Sequence, residues 1–146
     1  MQSMATKGYE KDFYIWLMAN AELLRQRRLT EIDLDNIAEE LESMAKRDKR
    51  ELLNRLKVLL MHLLKWQFQA DKRTISWKST INEQREQVHL VLLDSPSLKY
   101  QLTERFQDAY RLALRAAINE TGLPKNFFPI NCPYSLEETL DDEFYP

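Results

Sequence analysis

The chain of 146 residues carries 21 basic and 23 acidic side chains, a formal net charge of −2, and hydrophobic residues make up 44% of it. These values are typical of a soluble globular domain that buries a core without disulfides, and they argue against a disordered chain or a coiled-coil rod. Only two glycines occur, and residues 9–95 contain neither glycine nor proline. That composition favours helices over strands, and it removes the glycine-rich loops that bind phosphate or hold a nucleophile.

The first third of the chain predicts two amphipathic helices separated by a turn. A first helix is expected over residues 10–26 and a turn over residues 27–32, after which Asp33 can cap the next helix. The apolar face of the first helix comprises Phe13, Leu17, Ala21 and Leu24. The face of the next comprises Leu34, Ile37, Ala38, Leu41, Met44 and Ala45.

A third apolar stripe, over residues 52–66, is wide enough for a helix that is surrounded by others. Nothing between Met44 and Glu51 must break the chain, so one long helix over residues 34–68, with or without a kink, is favoured. The alternative is a fresh helix start capped by Asp48 and Glu51. We expect the helix that contains the third stripe to be the central helix.

Two further helices follow a polar turn at residues 70–74. Thr74 or Ser76 can cap the fourth helix, whose core face comprises Trp77, Ile81, Val88 and Leu92. Ser95 and Pro96 predict the start of the fifth helix, with serine as N-cap and proline at the first helical position. Gly122 is placed to end it in a left-handed conformation.

The remaining segment predicts an irregular tail that packs on the helices. Ser135 and Glu138 can form a capping box around a single helical turn, and the aromatic residues of the tail favour packing. The predicted fold class is all-α: a single-domain bundle of four to five helices over residues 1–146, with a long central helix. Residues 1–8 are expected to be disordered, and residues 123–146 form the tail.

Several ordered landmarks resemble one known family, family twenty-nine of the domains of unknown function. They are the runs 62–67, 73–77, 81–85, 95–98, 120–123 and 132–134. The resemblance implies a compact all-helical protein of a kind abundant in photosynthetic bacteria, with no established activity. Arg27 and Ala45 stand where the family pattern usually has glycine. These departures make the first turn less certain and favour the continuous long helix.

Polar residues within the core arc of the fourth helix are the main candidates for a site. Gln84 and Arg85 lie among apolar positions, and a buried guanidinium needs a partner. The leading hypothesis is a structural ion pair of Arg85 with Glu42, Asp48 or Glu120. The functional alternative is a pocket for an anion. Its residues would be Lys65, Arg73, Gln84 and Arg85.

Metal and nucleophilic chemistry find little support. A single Glu-x-x-His spacing occurs, Glu86 to His89, and both residues lie away from the core face of the fourth helix. His62 falls on a polar face among cations, and Cys132 lies in the tail without an evident base. We therefore expect no metal and no cofactor.

One cysteine allows no internal disulfide, and the longest apolar run is too short to span a bilayer.

The charges are distributed unevenly. Residues 1–45 carry 5 basic and 9 acidic side chains, residues 46–86 carry 11 and 5, and residues 119–146 carry 1 and 6. The basic middle, with Trp66 and Trp77 nearby, could hold a nucleic acid, or the acidic ends could neutralise it within the fold.

These observations favour a non-enzymatic, cytoplasmic interaction or adaptor domain that binds a protein partner or itself. A homodimer through an exposed strip beside the first or fifth helix is one form of it. The alternative is a bundle that binds small anions or nucleic acid through the basic middle. An enzyme or a metal-binding bundle comes third.

Overall fold

The computed structural model describes residues 8–146. Within that range the α-helices are α1 Phe13–Arg25, α2 Leu34–Phe68, α3 Ile75–Asp94, α4 Leu98–Thr121 and α5 Leu136–Leu140. Short 3-10 turns lie at Ala70–Lys72 and Lys125–Phe127, and no strand occurs in the described part of the chain. The all-α fold class is confirmed. Disorder was expected for residues 1–8. Residues 1–7 of that range lie outside the described residues.

The chain divides into two compact units, and the boundary between Lys46 and Arg47 falls inside α2. Unit 1 comprises the residues up to Lys46, and unit 2 comprises Arg47–Pro146. The prediction of one uninterrupted helix over residues 34–68 is confirmed. The extent of a single domain over residues 1–146 stays a prediction.

In unit 1, α1 ends in a left-handed residue that is not glycine. The Arg28 N–H donates to the Leu23 carbonyl at 2.9 Å, and the Arg27 N–H donates to the Leu24 carbonyl at 3.0 Å. This pair of bonds is a Schellman motif, which requires a positive φ at its C′ position. Arg27 occupies that position with a φ of 61°. The turn keeps its geometry although an arginine stands where glycine is favoured.

Replacing Arg27 by glycine is therefore expected to raise the free energy of unfolding by about 1 kcal/mol, because glycine adopts positive φ without steric cost. Chemical denaturation measures the change. Gly122→Ala is the matched control of opposite sign. Gly122 has a φ of 70° and no atom within 4 Å of an added Cβ, so only backbone strain changes there. A destabilised Arg27→Gly variant would contradict this account.

A buried polar network joins α1 to the start of α2 within unit 1. The Trp16 indole N–H donates to Asp33 Oδ2 at 2.9 Å, and the Asp33 N–H donates to Asn20 Oδ1 at 2.9 Å. Tyr9 packs on the Trp16 ring with centroids 4.7 Å apart and donates its hydroxyl to Glu40 Oε1 at 2.7 Å. The Asp33 carboxylate thereby accepts the hydrogen bond of a buried indole.

The core of unit 2 is built on the second half of α2. Its buried apolar side chains come from α2, α3, α4 and the C-terminal segment. They are Leu52, Leu56, Leu59, Leu60, Leu63, Leu64, Ile81, Val88, Leu102, Phe106, Ala109, Tyr110, Ala113, Ala117, Phe128, Tyr134 and Leu136. Six leucines on α2 confirm the wide apolar arc of the central segment. The C-terminal segment, residues 123–146, contributes Phe128, Tyr134 and Leu136 to this core.

Most helix ends in unit 2 match their sequence signals. Thr74 accepts the Trp77 N–H at 3.1 Å, Gly122 is left-handed, and Ser135 and Glu138 form the capping box. The predicted start of α4 at Ser95 and Pro96 differs from the structure, where Ser95 ends α3 and regular helix begins at Leu98. The reason is a tighter turn, in which the Leu98 N–H donates to the Ser95 carbonyl at 3.0 Å.

Candidate functional site

Arg85 is fully buried in unit 2, where it holds the C-terminal segment. Its Nε donates to the Thr139 carbonyl at 2.9 Å, and its Nη2 donates to the Phe144 carbonyl at 2.7 Å. Its guanidinium carbon lies 5.3 Å from the centre of the Tyr145 ring. One arginine on α3 therefore contacts three residues of the last part of the chain, Thr139 within α5 and Phe144 and Tyr145 after it.

Two of the predicted partners of Arg85, Asp48 and Glu120, were wrong. Neither pairs with it within unit 2, and its hydrogen bonds go to main-chain carbonyls. Burial lowers the pKa of Arg85, and the carboxylates of Asp141 and Asp142 act against that shift. The negative charge near the guanidinium therefore comes from the C-terminal segment. Nη1 is buried without a hydrogen-bond partner within the described residues.

Arg73 and Tyr145 extend the contact with the end of the chain. Arg73 Nε donates to the Trp66 carbonyl at 2.7 Å, and Nη2 donates to the Pro146 main-chain oxygen at 3.2 Å. The Tyr145 ring lies 5.4 Å from the Trp66 ring, and its hydroxyl donates to Asn82 Oδ1. Arg73 and Arg85 thus both bind this segment.

The other predicted site residues lie apart from that contact. Lys65 is buried on α2, and its Nζ lies 2.6 Å from Glu120 Oε1 and 4.6 Å from the centre of the Trp77 ring. Gln84 accepts a hydrogen bond from Arg55 Nη1 at 3.3 Å. Glu42 is exposed in unit 1. Lys65, Arg73, Gln84 and Arg85 are all engaged with protein groups, so an anion pocket made of all four stays a prediction without geometric support.

A cavity of about 730 Å³ beside α3 is lined by Glu86 and His89, the two residues of the Glu-x-x-His spacing, and by Asp142. His89 Nε2 donates to the Leu140 carbonyl at 3.1 Å, which leaves this nitrogen engaged. In residues 8–146, no cluster of three or more histidine, cysteine, aspartate or glutamate side chains is arranged to hold a metal ion.

Burial shifts the pKa values of the two remaining candidate reactive groups, Cys132 and His62. Burial raises the pKa of Cys132, which disfavours the nucleophilic thiolate. Burial also lowers the pKa of His62, whose Nδ1 lies 2.9 Å from the Val58 carbonyl.

The described part of the chain contains no helix of the length and apolarity that a membrane span requires.

Unit 1 exposes apolar side chains on both of its helical segments. The set, called the apolar strip below, comprises Phe13, Leu17 and Leu24 on α1 and Leu34, Leu41 and Met44 on α2. Leu34 is 66% exposed and Leu41 is 63% exposed. The pairing of α1 with the start of α2 buries Trp16 and Asn20 but leaves these neighbouring positions uncovered. These residues belong to the apolar faces predicted for the first two helices, since periodicity identifies an apolar face and not what covers it.

Comparison with known proteins identifies the family and supplies no activity. No curated protein and no solved structure matches the chain. A family described as "Domain of unknown function DUF29" matches residues 8–145. That match covers nearly the whole chain and agrees with the landmarks noted in its sequence. The chain therefore belongs to the DUF29 family of domains of unknown function.

Proposed function

We propose that the protein is a non-enzymatic interaction module that associates with a second copy of itself through the apolar strip of unit 1. The observation that carries this proposal is the exposure of large apolar side chains at one-face spacing on both helical segments. Exposed apolar residues are common when scattered, but a contiguous set marks an interaction surface.

The spacing of the apolar strip suits helix packing. Phe13, Leu17 and Leu24 recur at intervals of four and seven residues, and Leu34 and Leu41 are seven residues apart. Such intervals place side chains in one row on a helix, which is the arrangement that packs into the groove of another helix. Fully burying an exposed leucine contributes about 1.5 to 3 kcal/mol, and these leucines are 41 to 66% exposed, so each contributes about half of that and several together support a contact.

The charge distribution favours a second copy as the partner. Residues 1–45 carry 5 basic and 9 acidic side chains, whereas residues 46–86 carry 11 and 5. Two copies attract each other when the acidic part of one faces the basic part of the other. The single cysteine is compatible with a cytoplasmic setting, which is part of the proposal.

Replacing Leu41 by aspartate is expected to weaken self-association at least tenfold, because a carboxylate cannot enter an apolar contact without losing its hydration. Sedimentation velocity over a range of protein concentrations measures the dissociation constant. Leu93→Asp is the matched control, since Leu93 is 77% exposed on α3 in unit 2. A wild-type protein that is monomeric at all concentrations would refute the proposed function.

Binding of nucleic acid is the second candidate. It is favoured by cations on α2 in unit 2, among them Lys49, Arg50 and Lys57. Two features weigh against it. Arg55 is paired with Glu51, and Lys65 with Glu120. The tryptophans predicted to stack on bases already pack against cationic side chains, Trp66 against Arg73 and Trp77 against Lys65.

A further inference from the structure

A groove in unit 2 combines apolar and basic side chains. It lies between α2 and α4 and has a volume of about 400 Å³. Its apolar lining residues are Leu53, Ala109 and Leu112, of which Leu112 is 50% exposed. The cations around it are Lys49, Arg50, Lys57 and Arg105. We call this feature the basic groove.

Most of the positive charge in the basic groove is not neutralised locally. Asp108 is the carboxylate that lines the groove, and it is bound by Arg111 and by Arg105 at 3.5 Å. These arginines lower the pKa of Asp108. Among residues 8–146, no ion pair involves Lys49, Arg50 or Lys57. The groove therefore attracts a ligand that is both acidic and apolar.

The lining distinguishes an acidic helix from a nucleic acid. Single-stranded nucleic acids bind proteins through phosphate contacts together with aromatic side chains on which bases stack. Among residues 8–146, no aromatic ring lines the basic groove. Apolar side chains next to cations instead match an amphipathic helix that lays its apolar face into a groove.

We propose that the basic groove binds the first half of α2 from a second copy of the chain, an inference that rests on the proposed self-association. On that half of α2, Leu34 and Leu41 are exposed, with the acidic Asp35 and Glu42 beside them. Helical geometry places residues 35 and 42 on one side of the apolar strip, since each follows an exposed leucine by one position. The incoming helix thus offers one apolar row and one acidic row.

The spacing of the charges is the same on both surfaces. Asp35 and Glu42 are seven residues apart, as are Arg50 and Lys57 in the groove. Seven residues of α-helix span about 10 Å, so two carboxylates of one copy and two cations of the other can pair when the helices lie alongside each other. Leu34 and Leu41 then face Leu53 and Leu112. This register argues for a second copy as the occupant.

Charge reversal on each surface tests the proposal. The acidic-row variant is Asp35→Lys/Glu42→Lys, and the groove variant is Arg50→Glu/Lys57→Glu. Each variant alone is expected to weaken self-association more than tenfold in sedimentation velocity at low salt. An equimolar mixture of the two is expected to restore association, because opposite charges again face each other. The restored complex also shows that both variants are folded.

Lys99→Glu/Lys125→Glu is the matched control for the groove variant, since it lowers the net charge by the same amount at two exposed positions outside the groove. It is expected to self-associate as the wild type does. If both charge variants associate normally while Leu41→Asp does not, the basic groove is not the docking site, and the proposed function still stands. Wild-type protein that never associates would refute both. A groove variant that loses binding to single-stranded DNA but keeps self-association would assign the groove to nucleic acid and overturn the proposal.

Discussion

Replacing Arg85 by methionine is expected to lower the free energy of unfolding by about 3 to 5 kcal/mol, because a buried and a partly buried carbonyl both lose a charged donor. Exchanging a buried ion pair for apolar residues is often harmless, since both charged partners can be removed together. That exchange is impossible here. The acceptors are the main-chain oxygens of Thr139 and Phe144, which remain in place after the substitution.

The loss of stability in the Arg85→Met variant should be concentrated in the C-terminal segment. Hydrogen exchange is expected to show faster exchange over residues 136–146 in the Arg85→Met variant than in the wild type. Arg73→Met is the matched control, because Arg73 binds the same segment from an exposed position and should cost less than about 1 kcal/mol. An Arg85→Met variant as stable as the wild type would show that the guanidinium does not hold the segment.

The helices could be predicted from the sequence because their signals are local. Apolar periodicity identified the long helix over residues 34–68, and the caps at Thr74, Gly122 and Ser135 depend on side chains within a few positions. The start of α4 was placed too early because Ser95 and Pro96 also suit the tighter turn that precedes it. A capping signal indicates that a helix starts nearby, with an uncertainty of one or two residues.

The partners of Arg85 could not be predicted in the same way. The burial of Arg85 followed from its place among apolar residues, but its acceptors are carbonyls, which every residue of a chain carries. Side-chain types alone therefore point to carboxylates as the partners. The acidic and aromatic character of the tail was the available signal, because Asp141, Asp142 and Tyr145 all act on Arg85.

The apolar strip shows a different limit. Periodicity predicted the faces that contain Leu17, Leu24 and Leu41, and the structure leaves these side chains exposed. An apolar face on a helix indicates that something covers it, but neither its residues nor their spacing states whether the cover comes from the same chain. Only the burial of each side chain distinguishes a core position from an interaction surface.

Glu120→Ala is expected to lower the free energy of unfolding by about 2 kcal/mol, whereas Lys65→Met should change it by less than about 1 kcal/mol. The asymmetry follows from burial. The Lys65 side chain is 5% exposed and the Glu120 side chain is 49% exposed, with 2.6 Å between Nζ and Oε1. Removing the glutamate leaves a buried ammonium whose remaining contact is the Trp77 ring at 4.6 Å.

Removing the lysine has the opposite consequence, because methionine fits an apolar site and the freed carboxylate reaches water. The double variant Lys65→Met/Glu120→Ala should therefore be about as stable as Lys65→Met alone. Denaturant unfolding of the four proteins completes a double-mutant cycle, and we expect a coupling energy of about 1 to 2 kcal/mol. Equal losses for the two single variants would contradict the asymmetry, and a coupling energy near zero would mean that the ion pair does not stabilise the fold. Glu104→Ala, an exposed glutamate on α4, serves as the control for loss of a carboxylate from that helix.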